Sequence, residues 1–454
     1  MVPRYAPPMS RLTPGAALRA GAAALVLCLT CWAALGGQAQ TSQPAAVKWA
    51  WSGGVTARSA IVTARVTRPG ATVHLSVTRA DRAAAGVRTL QAAADGDGAV
   101  SFPLGGLDPA TPYEYRVSLD GAASLTGTFR TFGEGPWSFR LAFSACADTG
   151  SQSPVFDAIR AADPALFLHL GDFHYEDISR SDPAAYRRAY DAVLGSPAQG
   201  RLYRSVPIAY TWDDHDFGAN NANSTSRSRP VAQAAYRQLV PHYPLADGEA
   251  GGIHQAFDMG RVRVIVTDSR SYRTSSRGDR QARTILGARQ RQWLKDELTA
   301  AAGAPLVVWA NSVPWIAGAT SGRDHWGSYA LEREEIANHI ASLGLGRRLI
   351  MLSGDAHMVA LDDGTNSNYA TGAGRDAPGF VVAHAAPLDR QPSSKGGPYS
   401  HGISRQRGQF GLLEVTDAGR TLRAEVSGRD RRGAPIRGVQ LALVCEQGRC
   451  DVQR

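Results

Sequence analysis

Five short apolar stretches of this chain each run, within a few residues, into side chains that bind metal ions. FRLAFSACAD ends in Cys146 and Asp148, ALFLHLGDFHYED in Asp172 and Tyr175, and VPIAYTWDDHD in Asp213, Asp214, His215 and Asp216. VVWANSVP ends in Asn311, and RLIMLSGDAH in Asp355 and His357. The apolar runs read as core strands, and in open α/β sheets ligands collect beyond the carboxyl ends of such strands. A core strand needs no acid or imidazole there, and burying one unpaired costs several kcal/mol. Five such junctions imply a sheet whose strand ends converge on one polynuclear metal site.

The pattern changes along the chain. Residues 41–133 hold short alternating segments separated by Gly, Pro and Asp turns, among them SAIVTARVT, ATVHLSVTR and YEYRVSLDG. These predict an N-terminal β-sandwich of immunoglobulin or fibronectin type III type. LDPATPYEYRV places Leu107, Pro109 and Tyr113 as in the tyrosine corner of such sandwiches. From 134 to 454, strands alternate with helical patterns, which predicts a layered α/β domain. Helices are expected in SPVFDAIRAAD, DPAAYRRAYDAVL, RPVAQAAYRQLVPHY, GARQRQWLKDELTAA and YALEREEIANHIASL, several opened by Ser, Asp or Pro. Trp293, Leu294 and Leu298 form a core stripe in the fourth. The Gly- and Ser-rich stretches 218–229, 364–378 and 391–403 read as surface loops near the site or as flexible segments.

Residues 1–40 carry Arg4, Arg11 and Arg19 with no acid, then AAALVLCLTCWAALGG and a small-residue exit at GGQAQ. That is the layout of a signal peptide, and its apolar core is shorter than the roughly 20 residues of a membrane span. The expectation is an exported monomer, periplasmic or extracellular, with no transmembrane anchor once the leader is removed. The twin-arginine motif is missing. Without the three leader arginines the formal charge falls from 49 − 40 = +9 to 46 − 40 = +6. This excess favours anionic substrates through the protein's field, but no basic run interleaved with aromatics suggests specific nucleic-acid recognition. In an oxidising compartment Cys445 and Cys450, flanking EQGR, are expected to form a disulfide, which leaves Cys146 as the odd thiol.

The junction residues suit a specific chemistry. Asp172 can bridge two cations, and Gly171 lets backbone approach an ion closely. Tyrosinate from Tyr175 is a hard donor for a trivalent ion. Alternation would place Cys146 and Asp148 on one face, and likewise Asp355 and His357. WDDHD is repulsive unless cations neutralise it. Asp214 reads as a ligand, with His215 free to protonate a leaving group and Asp216 as its hydrogen-bonded orienter. Asn220 or Asn221 offers a neutral carbonyl or is a plain loop residue, and Asn311 is a further candidate. Arg270 could clamp a phosphate bidentately or pair with Asp268. His169 reads as core or as support behind the ligands. Asp324, Trp326 and Tyr329 wall the pocket or simply pack. Two metals about 4 Å apart activate water for in-line displacement at phosphorus, so no serine nucleophile is needed.

The order C-x-D, G-D-x-x-Y, W-D-D-H-D with trailing Asn, D-S-R and G-D-x-H resembles the PhoD-like alkaline phosphatases of the calcineurin-like metallophosphatase superfamily. The resemblance spans nearly the whole chain after the leader. It implies a layered α/β/β/α metallophosphatase domain after the sandwich. It also implies a cluster of iron(III), Fe(3+), and calcium, Ca(2+), and hydrolysis of phosphomonoesters and phosphodiesters. By the same resemblance Cys146, Asp172, Tyr175 and His357 would hold iron, and Asp172, Asp214, Asn220 and Asp355 the second ion, with Asp148 a further ligand. His215, Asp216 and Arg270 are the expected catalytic residues. Two departures stand out: the twin-arginine signal is absent, and the last acid of WDDHD is Asp rather than Glu. The competing readings are a phosphodiesterase of phospholipase D type on the same site, and a calcium-binding adhesion module. The latter leaves Cys146, Tyr175 and His215 without a use.

Overall fold

The strands that carry the ligand candidates divide their side chains between two cores, and this builds the layers. In Phe139–Ser144, Leu141 and Phe143 enter a central core while Ala142 faces the opposite one. In Leu306–Ala310, Val308 and Ala310 face the central core and Val307 and Trp309 an outer one. Leu349–Ser353 divides the same way, with Ile350 and Leu352 against Leu349 and Met351. This period of two, apolar on both faces, is what a strand buried between layers requires. The computed structural model describes residues 46–81, 87–120, 123–249, 251–446 and 448–453; the leader expected at 1–40 lies outside them.

Two sheets face each other across the central core. The first, of ten strands, runs in the order Arg449–Gln453, Pro435–Glu446, Thr421–Arg429, Phe410–Asp417, Phe139–Ser144, Leu166–His169, Ile208–Tyr210, Val47–Gly53, Ser59–Val66, Ala99–Gly105. The second has seven strands, and its parallel centre is Val262–Val266, Leu306–Ala310, Leu349–Ser353 and Val381–Ala385. Helices Val155–Ala161, Pro183–Leu194, Pro197–Ser205 and Arg229–Leu239 cover the outer face of the first sheet. Gly287–Ala300 and Ala330–Ser342 cover that of the second. The fold is therefore the expected mixed α/β architecture in four layers, α/β/β/α. All five expected helices form; Pro197–Ser205 was not foreseen because Gly200 and a weak apolar pattern interrupt its signal. No helix among the described residues is long and apolar enough to cross a membrane.

The N-terminal strands form a sandwich. Its second sheet is Arg88–Ala93, Thr72–Arg79, Pro112–Leu119 and Leu125–Arg130. The tyrosine corner is present, the Asp108 amide donating to the Tyr113 hydroxyl at 2.9 Å. The other sandwich sheet is continuous with the ten-stranded sheet, because Val47–Gly53 pairs in parallel with Ile208–Tyr210 at Gly53 and Ile208. Across the C-terminal hairpin, Cys445 and Cys450 are opposite partners joined by a disulfide.

Candidate metal centre

Each ligand-bearing turn begins one to four residues beyond a parallel strand, and backbone hydrogen bonds knit the turns together. The Cys146 amide donates to the Gly171 carbonyl and the Ala147 amide to that of Asp172, both at 3.2 Å. The approach is close enough to require glycine at two places. A Cβ on Gly171, whose φ is +108°, would lie 2.5 Å from Asp213 Cβ, and one on Gly354 would lie 2.7 Å from Ala145 Cβ. Cys146 (φ 64°), Asp172 (55°) and Asp355 (70°) all take left-handed backbone. Such conformations cost about 1–3 kcal/mol each in a residue with a Cβ and gather at functional sites. The turn at Cys146 also ends strand alternation. Cys146 is therefore a buried free thiol turned inward. Asp148 stands at the rim, ion-paired with Arg390 and, at 3.5 Å, with Arg407. The expectation that the two share a face does not hold.

Two trios of donors converge and share one residue. Ligand atoms of Cys146, Asp172 and His357 lie within 4.8 Å of one another, and so do those of Asp172, Asp214 and His215. Tyr175 joins the first trio: its hydroxyl donates to Asp172 Oδ2 at 2.6 Å and lies 3.2 Å from His357 Nε2. The Cys146 thiol points at the same Oδ2, at 3.4 Å. His357 Nδ1 bonds the Gln391 carbonyl at 2.6 Å, which leaves Nε2 to face the trio. Burial, then the charge of Asp214, pushes the Asp172 carboxyl well above its ordinary range. Burial followed by Asp172 does the same to the Cys146 thiol and the Tyr175 phenol. Burial also pulls His357 down to about 4. A thiol, a phenol, an imidazole and a carboxyl thus share one largely buried pocket. That donor set fits a cation, whose charge would favour the deprotonated forms.

The WDDHD turn is organised differently from its sequence reading. His215 Nδ1 bonds Asp177 Oδ1 at 2.6 Å, not Asp216. Asp216 instead accepts the amides of Phe173 (2.9 Å) and Asp213 (2.7 Å) and the Tyr210 hydroxyl (2.5 Å). It closes a capping box on the short helix Asp214–Phe217 and ties that helix to the Gly171 turn. Two positions along a tight helical turn point in different directions, so adjacency in sequence did not make Asp216 the partner. Asp177, itself in left-handed backbone (φ 48°), carried no sequence signal beyond following Tyr175. The His215 ring lies 4.3 Å from that of Tyr175.

Arg270 is not free to clamp a phosphate. Its side chain is fully buried, donating to Asp213 Oδ1 at 2.6 Å and Asp324 Oδ2 at 2.9 Å, and lying 3.8 Å from Asp214. Nor does its guanidinium take Asp268, whose Oδ1 accepts Trp212 Nε1 and the Arg270 amide. Arg273 pairs with the other oxygen of Asp324 and lies over the Tyr329 ring. Asp324 is therefore a buried counter-charge rather than a pocket wall. Burial opposes ionisation of Asp214, but Arg270, with help from His215 and the Asn221 amide, outweighs it and holds the carboxyl below its ordinary value. Asn220 is exposed; its neighbour's amide, Asn221 N, reaches Asp214 Oδ2 at 2.5 Å. Asn311 Oδ1 is taken by the Val313 amide and Trp326 Nε1, both at 3.1 Å. Asp355 accepts Lys395 on both oxygens, at 2.6 and 2.8 Å. His169 lies in the core beneath the site with neither ring nitrogen bonded, and burial lowers it to about 3.

The sequence model of the family described as PhoD-like phosphatase matches residues 141–386, and that of the PhoD-like phosphatase N-terminal domain matches 32–133. The chain belongs to the PhoD-like phosphatase family. It is accordingly a metal-dependent hydrolase of phosphoester bonds. Among solved structures, one described as "Structure of PhoD" is 19% identical with a TM-score of 0.69, over 90% of this chain and 92% of that chain. Purple acid phosphatase PPD1 from seeds of yellow lupin, Lupinus luteus, is 12% identical with a TM-score of 0.64, over 88% of this chain and 74% of its own. Both likenesses concern the fold. No curated protein sequence matches the chain closely.

Proposed function

We propose that this PhoD-like phosphatase is an exported alkaline phosphatase with an iron(III) and calcium site. The observation that carries the reading is the sharing of Asp172 between the two donor trios. One carboxylate common to two sites suits a bridged pair of cations. Cys146, Tyr175 and His357 would hold iron with Asp172, since thiolate and tyrosinate suit a trivalent ion. Asp172, Asp214 and Asp355 would hold calcium from the other side. Asp355 can serve both that ion and Lys395, because each carboxylate oxygen has two lone pairs. The bound cations would supply Lewis-acid activation of water and of the phosphoryl oxygens.

The remaining residues orient the donors and move the proton. Asp177 would accept from His215 Nδ1, leaving Nε2 to protonate the departing alkoxide beside Asp172 and Asp214. Arg270 and Arg273 fix Asp213 and Asp324 behind Asp214, so the ligand carboxylate cannot swing. Export is supported by the leader pattern and by the Cys445–Cys450 disulfide. Purified protein tests the reading through elemental analysis, a visible spectrum and turnover of mono- and bis-aryl phosphates. Bound iron and calcium, a violet tyrosinate-to-iron band and turnover lost to chelator are expected. Protein that carries zinc alone and no visible band overturns the iron assignment, and turnover of the diester only makes the enzyme a phosphodiesterase.

A further inference from the structure

The stretch 387–407, of which 391–403 reads from sequence as a surface loop near the site or a flexible segment, is a strap pinned to both walls of the site. At its start the Leu388 amide donates to the Ala145 carbonyl at 2.9 Å, and Asp389 Oδ1 accepts the Asp148 amide at 2.6 Å. In its middle, Ser393 exchanges hydrogen bonds with the backbone of His357, its amide donating at 3.0 Å and its hydroxyl accepting at 3.1 Å. Further on, the Gly397 amide donates to the Ile316 carbonyl at 2.8 Å. A segment held at so many points places its side chains firmly.

Between these pins the strap carries two cationic side chains to the acidic floor. The Arg390 guanidinium lies 3.9 Å from the centre of the Tyr175 ring and pairs with Asp148 at the rim. Its Nε–H is buried and has no hydrogen-bond partner, a donor without an acceptor beside the iron half of the site. Lys395 Nζ sits on Asp355, in the field of Asp214 and Asp324, beside the other half. Neither residue is needed by the fold in the way that Arg270 is: both side chains keep about a third of their surface open, at 36%. A buried N–H without an acceptor costs about 1–3 kcal/mol, so a group that persists in this state points to a ligand that satisfies it.

We propose that Arg390 and Lys395 are substrate-binding residues that take the non-bridging oxygens of the phosphate and make the enzyme prefer phosphomonoesters to phosphodiesters. The inference rests on the metal-bearing site proposed above and names its substrate class. A terminal phosphate presents three oxygens and two negative charges, whereas a diester presents two oxygens and one charge. Fixed donors beyond the metal ions therefore add more to binding of the monoester, through charge-assisted hydrogen bonds.

The test uses the full-length protein with Lys395→Gln, Arg390→Gln and Lys395→Arg variants, 4-nitrophenyl phosphate, bis(4-nitrophenyl) phosphate, and inorganic phosphate as inhibitor and as calorimetric titrant. Each Gln variant should lower kcat/KM on the monoester about tenfold, the equivalent of one charge-assisted hydrogen bond, and on the diester by only about threefold. Phosphate should bind about tenfold more weakly, metal content should stay at the wild-type level, and Lys395→Arg should recover most of the monoester preference. An equal fall on both esters, or unaltered phosphate binding, overturns the proposal. A fall in metal content that accounts for the lost rate would make Lys395 a support for Asp355 only. Should the wild type turn over neither ester, the phosphate titration of metal-loaded protein still decides whether the strap binds anion.

Discussion

The two halves of the centre handle buried charge in opposite ways. Around Asp213, Asp214 and Asp324 the chain supplies its own cations: Arg270 and Arg273 are buried and bonded to the acids, and Arg270 holds Asp214 below its ordinary value although burial pushes Asp213 above its own. Around Cys146, Tyr175 and His357 the nearest cation, Arg390, lies over the Tyr175 ring and pairs with Asp148 rather than with the donors, and burial first pushes the thiol and phenol toward their protonated forms. One half is a wired structural network; the other is a set of donors waiting on their partner's charge. Asp172 belongs to both, which makes it the point where the contrast can be probed.

Substituting the shared residue should have the largest effect. Asp172→Asn keeps the shape but cannot bridge, and kcat/KM should fall by about a thousandfold or more with loss of both metals by elemental analysis. Retention of one metal at full occupancy would show that the halves load independently. Next comes fold stability. Arg270→Met strands Asp213 without its cation, leaves Asp324 with Arg273 alone, and should cost about 3–5 kcal/mol in denaturant unfolding of the metal-free protein. In contrast, Cys146→Ser can still donate to Asp172 and should cost about 1 kcal/mol or less while weakening metal binding at the Cys146, Tyr175 and His357 half. Equal losses from the two variants would erase the distinction between wiring and donor set.

His215→Ala should lower kcat about a hundredfold or more without changing metal content, and Asp177→Asn, which only loosens the ring, about tenfold. If Asp177→Asn has no effect on the pH profile of kcat while Asp216→Asn does, the sequence reading of the orienter was right after all. The smallest effect concerns the floor beneath both halves. Folded His169 stays neutral down to about pH 3, while the unfolded chain takes up its proton near 6.5. Below pH 6.5 the unfolded state therefore binds more protons, and the wild type loses stability as pH falls. Relative to His169→Phe that loss should approach about 1.4 kcal/mol per pH unit in unfolding titrations, and vanish above 6.5.

Much of this molecule is legible in its amino-acid order. Four of the five junctions, the sandwich with Tyr113, the helices and the meeting of Cys146, Asp172, Tyr175, Asp214 and His357 follow from local pattern, namely period-two apolar runs, turn residues and the chemistry of strand ends, whereas Asn311 is spent on Val313 and Trp326. What was not legible depends on direction and distance. Left-handed backbone at Cys146 sends Asp148 to the rim, and the turn at Asp214–Phe217 gives His215 to Asp177 rather than to its sequence neighbour. Arg270 looked like a phosphate clamp because a lone Arg after a strand does not reveal that three acids from elsewhere surround it. Arg390 and Lys395 went unnoticed because a Ser- and Gly-rich stretch does not disclose what pins it. The amino-acid order thus determined which groups arrive at the strand ends, since strand period and turn chemistry are local. Which of them face inward, and which cation meets which acid, was decided only by tertiary packing, because those contacts join residues far apart in the chain.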